Sequence, residues 1–196
     1  TPFLKAGDII IDGGNSHHRD TERRLQDLET MNIDYLGAGI SGGPDGARQG
    51  PAIMIGGTGY KKVSDLLCSI TAKDKSGKAC CSYIGAGSAG HYVKMVHNGI
   101  EYAEMQLLAE VYQLLRYFCQ VEPQEIAGIF NTWRETDLDS YLLRITADIL
   151  TQMDGDEPVI DKILDKAGQK GTGSWSVASA MDIGMPSSTI SEALMA

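Results

Sequence analysis

Apolar and polar positions change their period once along the chain. DIIIDGGN (8–15) is a short apolar run closed by glycines, which predicts a buried strand ending near Asp12. HHRDTERRLQDLETM follows, with Leu25 and Leu28 as a thin apolar stripe on a charged helix that lies mostly in water. IDYLGAGI is the next strand, SGGPDGARQG reads as a loop by composition, and PAIMIGG is a third strand. YKKVSDLLCSI then predicts a helix and CCSYIG a strand. This alternation implies a mostly parallel sheet with helices on its faces.

Beyond Gly90 no convincing strand is visible. Helices are predicted over about 90–118, 123–132 and 137–152, with shorter ones after Pro158 and around 174–184 and 187–196. Pro123, Pro158 and Pro186 stand where helices start, as a proline in a first turn should. The expected fold class is therefore α/β followed by all-α, with a domain boundary near residue 88, giving 1–88 and 89–196.

Composition narrows the function classes. The 196 residues suffice for a core in one or two domains, and the net charge of −9 makes nucleic acid and anionic membrane poor partners. No apolar run is long enough to span a bilayer, and no signal-peptide pattern opens the chain. Of Cys68, Cys80, Cys81 and Cys119, none forms a C-x-x-C pair. Three lie in or beside apolar runs, which reads as reduced, buried thiols in a cytoplasmic protein. No metal-ligand cluster stands out.

GAGSAG (85–90) matches the G-x-G-x-x-G dinucleotide fingerprint formally. A clamp needs a strand before it, a helix after it, and a second strand ending in an acidic residue about 20 residues on. Glu101 and Glu104 are near that distance, but they fall inside an unbroken helical stretch. The glycines read instead as a tight turn and a close packing point. In the helix behind them, Lys94, His97, Asn98 and Glu101 stand at i, i+3, i+4 and i+7 and share a face. A wide apolar arc around them predicts a mostly buried helix, whose polar stripe is buried or lines a cleft. Lysine as a base, glutamate as an acid, and His and Asn as orienting groups suit chemistry on a hydroxyl and a carbonyl. A solvated Glu–Lys face is the structural alternative.

These residues carry a family resemblance. KMVHNGIEY (94–102), IIIDGGNS (9–16), GISGGPDGARQGPAIMIGG (39–57), FNTW (130–133), LDSYL (138–142) and DKAGQKGTGSW (165–175) resemble, in order, the signatures of the 6-phosphogluconate dehydrogenase family. The resemblance implies the second half of a Rossmann-like coenzyme domain followed by part of a helical dimerisation domain. It implies NADP-dependent oxidative decarboxylation of 6-phosphogluconate to ribulose 5-phosphate by a cytoplasmic homodimer. Lys94 matches the general base and Glu101 the acid that protonates C1 of the enediol. His97 and Asn98 match residues that hold sugar hydroxyls. Ser41, Gly42 and Gly43 match the loop at the substrate carboxylate, and Asn15 matches a residue near nicotinamide and substrate. Tyr102, Lys170 and Thr172 match the phosphate grip. The coenzyme fingerprint is then expected before Thr1, and a phosphate-binding arginine and a C-terminal tail beyond Ala196.

Taken singly, several of these residues have ordinary structural readings. Lys170 is a loop lysine, Ser41–Gly43 a turn, and Asn15 or Ser16 a helix cap. His17 and His18 are expected to face solvent, and Trp133 and Trp175 to sit in the core. The chain departs from the family's usual pattern at His17, His18, Pro44, Ala103, Glu104 and Ser174. Two rivals stand beside this reading. One is a β-hydroxyacid dehydrogenase of the same superfamily, against which the GQKGTG loop argues. The other is a non-catalytic paralogue that serves as a dimerisation module, against which the Lys94–Glu101 pair argues.

Overall fold

The computed structural model describes residues 3–196. Strands β1 (Ile9–Asp12), β2 (Asp34–Ser41), β3 (Ala52–Gly57) and β4 (Cys81–Gly85) form one sheet in the order β1-β2-β3-β4. Helices α1 (His18–Glu29), α2 (Gly43–Gln49) and α3 (Tyr60–Ser69) lie between successive strands. The β1–β2 and β3–β4 pairings are parallel, but β3 runs antiparallel to β2, with Ser41 opposite Ala52. Leu36, Ala38, Ile53, Ile55, Leu67 and Cys81 form the core of this sheet. Leu25 and Thr21 are the buried residues of α1, and the rest of that charged helix is more open.

The segment after Ser41 corrects the loop reading. It folds as α2, because Gly42 (φ 129°) and Gly43 (φ 58°) take backbone conformations that glycine tolerates, and Pro44 sits in the first turn. A Cβ on Gly42 would lie 2.9 Å from the Gly46 Cα.

The remaining helices are α4 (Ala89–Gln113), α5 (Pro123–Trp133), α6 (Tyr141–Leu150), α7 (Thr172–Asp182) and α8 (Ser188–Met195). A π-helical turn, Leu114–Phe118, ends α4, and a 3₁₀ turn, Val159–Lys162, follows Pro158. A second correction falls here. Met153–Asp154 (β5) and Glu157–Pro158 (β6) pair as a minimal antiparallel hairpin, too short to show a period of two.

Packing gathers the chain into two compact units. The first runs to Gly99 and takes in Gly171–Gly184; the second comprises Ile100–Lys170 and Met185–Ala196. In the second, Ile126, Ala127, Phe130, Leu143, Ala147 and Leu150 form a core from α5 and α6, and Trp133 stacks on Phe130. Helix α4 is less buried than its apolar arc predicts. Only Gly90, His91, Met95 and Gly99 are fully buried in it, and Ile100, Met105 and Leu107 are exposed. Further along, Leu108, Val111 and Tyr112 pack partly buried against the α5–α6 core.

Candidate active site

The glycines at the start of α4 are structural. Gly90 lies between β2 and β3: a Cβ there would fall 2.3 Å from the Gly37 carbonyl oxygen and 2.5 Å from that of Met54. Gly56, on β3, meets the Gly90 nitrogen at 2.5 Å in the same sense. The helix therefore enters almost in backbone contact with the sheet. The Ser88 amide at its start is already engaged: a Glu22 carboxylate oxygen accepts from the Ser88 N–H at 2.9 Å. That carboxylate caps the helix and complements its dipole. The negative charge of Glu22 beside Gly87 and Ser88 disfavours a diphosphate at GAGSAG.

Close entry of α4 sets the position of Lys94. A Cβ on Gly39 would lie 2.3 Å from the Lys94 Cβ, so the lysine stem rests on β2 two residues before Ser41. Parallel β1 and β2 direct their carboxyl ends to the same edge, where ligands bind in open α/β sheets; β1 stops at Asp12, opposite Gly37, and β2 runs on to Ser41. Asn15 follows the end of β1, and Ser41, Gly42 and Gly43 follow the end of β2. Asn15, Gly42 and Gly43 are exposed, and Ser41 is half-buried.

A row of polar contacts extends from Lys94. Its Nζ donates to the Asn98 Oδ1 through a short hydrogen bond. His97 Nδ1 lies 3.3 Å from the same oxygen, which can only accept, so this nitrogen carries the proton. Asn98 Nδ2 in turn donates to the Thr172 Oγ at 3.2 Å. Thr172 is 3% exposed and opens α7 directly after Gly171, whose φ of 97° the turn requires. The first unit thus brings Lys94, His97, Asn98 and Thr172 into one hydrogen-bonded group. Glu101 and Tyr102 are half-buried further along α4, and Lys170 is exposed; all three belong to the second unit.

The turn bearing Asn15 is built around Asp12. The Asp12 carboxylate accepts from Gly14 N–H (3.0 Å), Ser16 Oγ (2.9 Å), Arg24 Nη1 (3.0 Å) and Tyr35 OH (2.6 Å). Burial alone would raise its pKa, but hydrogen bonds from Tyr35, Ser16 and Gly14 hold it below the usual carboxylate value. Burial and the adjacent carboxylate push the Tyr35 phenol up to about 12. The cap of α1 is neither Asn15 nor Ser16. His17 supplies it, its Nδ1 accepting from the Arg19 N–H at 3.2 Å.

His17 and His18 do not stand free in solvent, which corrects the sequence expectation. The two rings stack at 4.5 Å, His17 meets Trp175 edge-on at 4.8 Å, and His18 meets Tyr92 at 5.1 Å. His18 Nδ1 is buried with no hydrogen-bond partner. Trp175, expected in the core, is half-buried in this cluster. The cysteines are all reduced: Cys81 is buried, Cys68 and Cys80 are half-buried, and Cys119 is exposed. Among the described residues no group of three or more His, Cys, Asp or Glu is placed to hold a metal ion. None of their helices is long and apolar enough to cross a membrane.

Two family models cover nearly the whole chain. Residues 1–85 match the NAD binding domain of 6-phosphogluconate dehydrogenase, and residues 90–196 match the 6-phosphogluconate dehydrogenase C-terminal domain. The chain belongs to the 6-phosphogluconate dehydrogenase family. It is 54% identical to a decarboxylating 6-phosphogluconate dehydrogenase of Bacillus licheniformis over its full length. It is 53% identical to an NAD(+)-dependent, decarboxylating enzyme of Bacillus subtilis, again over its full length. In each case it spans 42% of the relative. The Plasmodium falciparum 6-phosphogluconate dehydrogenase, solved in apo form and with NADP+ and with 6-phosphogluconate, superposes with a TM-score of 0.93 at 43% identity. That match covers 98% of this chain and 42% of the parasite enzyme. A 3-hydroxyisobutyrate dehydrogenase of Salmonella typhimurium shares the fold at 16% identity and a TM-score of 0.72, over 97% of this chain and 63% of its own.

Proposed function

We propose that the chain carries part of a cytoplasmic, homodimeric enzyme that oxidises and decarboxylates 6-phosphogluconate to ribulose 5-phosphate with NADP. In this reading residues 1–88 belong to the coenzyme domain and 89–196 to the helical substrate domain. The observation that carries it is the hydrogen-bonded row Lys94–Asn98–Thr172 at the carboxyl ends of β1 and β2. Asn15 fits the nicotinamide end of the coenzyme, because it is exposed on a turn at that same edge. The diphosphate is disfavoured at GAGSAG, where Glu22 holds the helix start.

The chemistry assigned to the residues follows their surroundings. Lys94 takes the proton of the substrate 3-hydroxyl. Its hydrogen bond to Asn98, a neutral acceptor, orients the amine. When bound, the coenzyme supplies the hydride acceptor. Protonated Lys94 then donates to the 3-keto oxygen, which draws electrons from the C1–C2 bond as the carboxylate leaves as carbon dioxide. Glu101 delivers a proton to C1 of the enediol while Lys94 takes back the proton of the C2 hydroxyl, leaving the ketone. His97 and Asn98 orient sugar hydroxyls, and Ser41, Gly42 and Gly43 receive the carboxylate end. Tyr102, Lys170 and Thr172 hold the phosphate.

A second copy of the chain is the proposed partner. Leu107, Leu114, Tyr117 and Phe118 of the second unit expose contiguous apolar surface, Phe118 at 82%.

The test is turnover by the full-length protein, following coenzyme reduction and carbon dioxide release together. Both are expected in equal amounts, and Lys94→Met should lower kcat on the order of a hundredfold to ten-thousandfold. Coenzyme reduction without carbon dioxide release would overturn the reading. Sedimentation at micromolar concentration should give twice the chain mass.

A further inference from the structure

Lys94 and Asn15 are proposed to act on one substrate, yet they stand on different elements, α4 and the turn after β1. Something must fix their separation, since a displacement of about 1 Å in a reacting constellation costs on the order of a hundredfold in rate. One buried side chain spans the two. His91 lies one helical turn before Lys94 and is 3% exposed. Its Nε2 is 3.1 Å from the Asp12 carbonyl oxygen, and its Nδ1 is 2.7 Å from the Thr21 Oγ.

The partners settle the proton positions. A carbonyl oxygen can only accept, so Nε2 carries the hydrogen. Burial lowers the His91 pKa and keeps the ring neutral near pH 7. Nδ1 therefore accepts, and the fully buried Thr21 hydroxyl donates to it. The same hydroxyl is 3.3 Å from the His17 carbonyl, the longer of its two contacts. Asp12 passes the connection on, because its carboxylate binds Gly14 N–H and Ser16 Oγ on either side of Asn15. The ring fits only because Gly37 lacks a side chain: a Cβ there would sit 2.9 Å from both His91 Nδ1 and Thr21 Cγ2.

We propose that His91 is a positioning residue, tying the Asn15 turn to the Lys94 face of α4 through the Asp12 carbonyl, with Thr21 fixing its tautomer. It touches no substrate. This assignment rests on the function proposed above, but the strap itself is a statement about two elements of the first unit and can be measured separately.

Two isosteric replacements in the full-length protein separate positioning from packing. His91→Gln places an amide N–H near Nε2 and keeps the donor to Asp12. His91→Asn reaches only the Nδ1 position and keeps the Thr21 contact while losing Asp12. His91→Asn is expected to lower kcat by on the order of tenfold to a hundredfold, with KM for 6-phosphogluconate changed less than about threefold. His91→Gln should stay within about threefold of the parent enzyme. Hydrogen exchange of the 9–16 segment should quicken in His91→Asn and not in His91→Gln. Equal behaviour of the two variants in exchange would overturn the strap, whatever the activity. Selective exchange with no selective loss of kcat would overturn its role in positioning. If the parent protein does not oxidise 6-phosphogluconate, the proposed function falls and the exchange result still decides the strap.

Discussion

The Lys94 stem rests on bare backbone at Gly39, where an added Cβ would approach the Lys94 Cβ to 2.3 Å and the Gly90 carbonyl oxygen to 2.7 Å. Neither neighbour can give way cheaply, since one begins a packed side chain and the other is main chain. Gly39→Ala should push α4 off β2. Overpacking of this kind destabilises by about 1–3 kcal/mol. The displaced lysine should lower kcat by more than about tenfold. Thermal unfolding and turnover check the two effects, and an alanine variant with parental kcat would show that α4 can shift without moving Lys94.

Asn98 gives Lys94 a neutral acceptor. Asn98→Asp replaces it with a carboxylate, which favours the ammonium form and raises the lysine pKa. A base must be deprotonated to act, so the acid-side limb of the kcat/KM profile should move to higher pH. Activity at neutral pH should fall more than activity at high pH. A pH profile measures this, and an unmoved limb would remove Lys94 from the role of base.

His18 is held neutral by burial, with His17 and Arg19 beside it disfavouring a further positive charge. Its pKa in the fold lies below the ordinary histidine value of about 6.5. As pH falls through that value the unfolded chain takes up a proton before the folded one does. The stabilisation is therefore complete above about pH 6.5 and is lost progressively towards the lower folded pKa. His18→Phe keeps a ring against Tyr92 and has no proton to gain. Its melting temperature should fall less on acidification than that of the parent. Parallel slopes from pH 7 to about pH 5 would assign the pH response elsewhere.

The sheet was legible because β1, β2 and β3 are apolar runs closed by glycines, and the α1 stripe was legible because Leu25 is buried. The polar face of α4 was equally plain, since spacing alone puts Lys94, His97 and Asn98 together. What composition hid was conformational. GGPDGARQ has a loop's residues, yet two glycines at positive φ and a first-turn proline start α2 there. Exposure was misjudged where partners are distant in sequence. His17 looked solvated because nothing near it announces Trp175, and the apolar arc of α4 looked buried because sequence does not say which side is covered. His91 gave a weak signal: a histidine at an apolar helix position reads as core, and its acceptor is a main-chain oxygen with no sequence signature.

The reversal between β2 and β3 has a consequence for variation in length. Ser41 and Ala52 face each other across the ladder, so the ends of segment 42–51 are already joined before its own fold is counted. The entropy of closing such a segment rises by only about 0.6 kcal/mol for each doubling of its length. Insertions and deletions there leave the strand order untouched. Residues gained or lost in α2 would alter the rim beside Lys94 while the sheet beneath it stays in register.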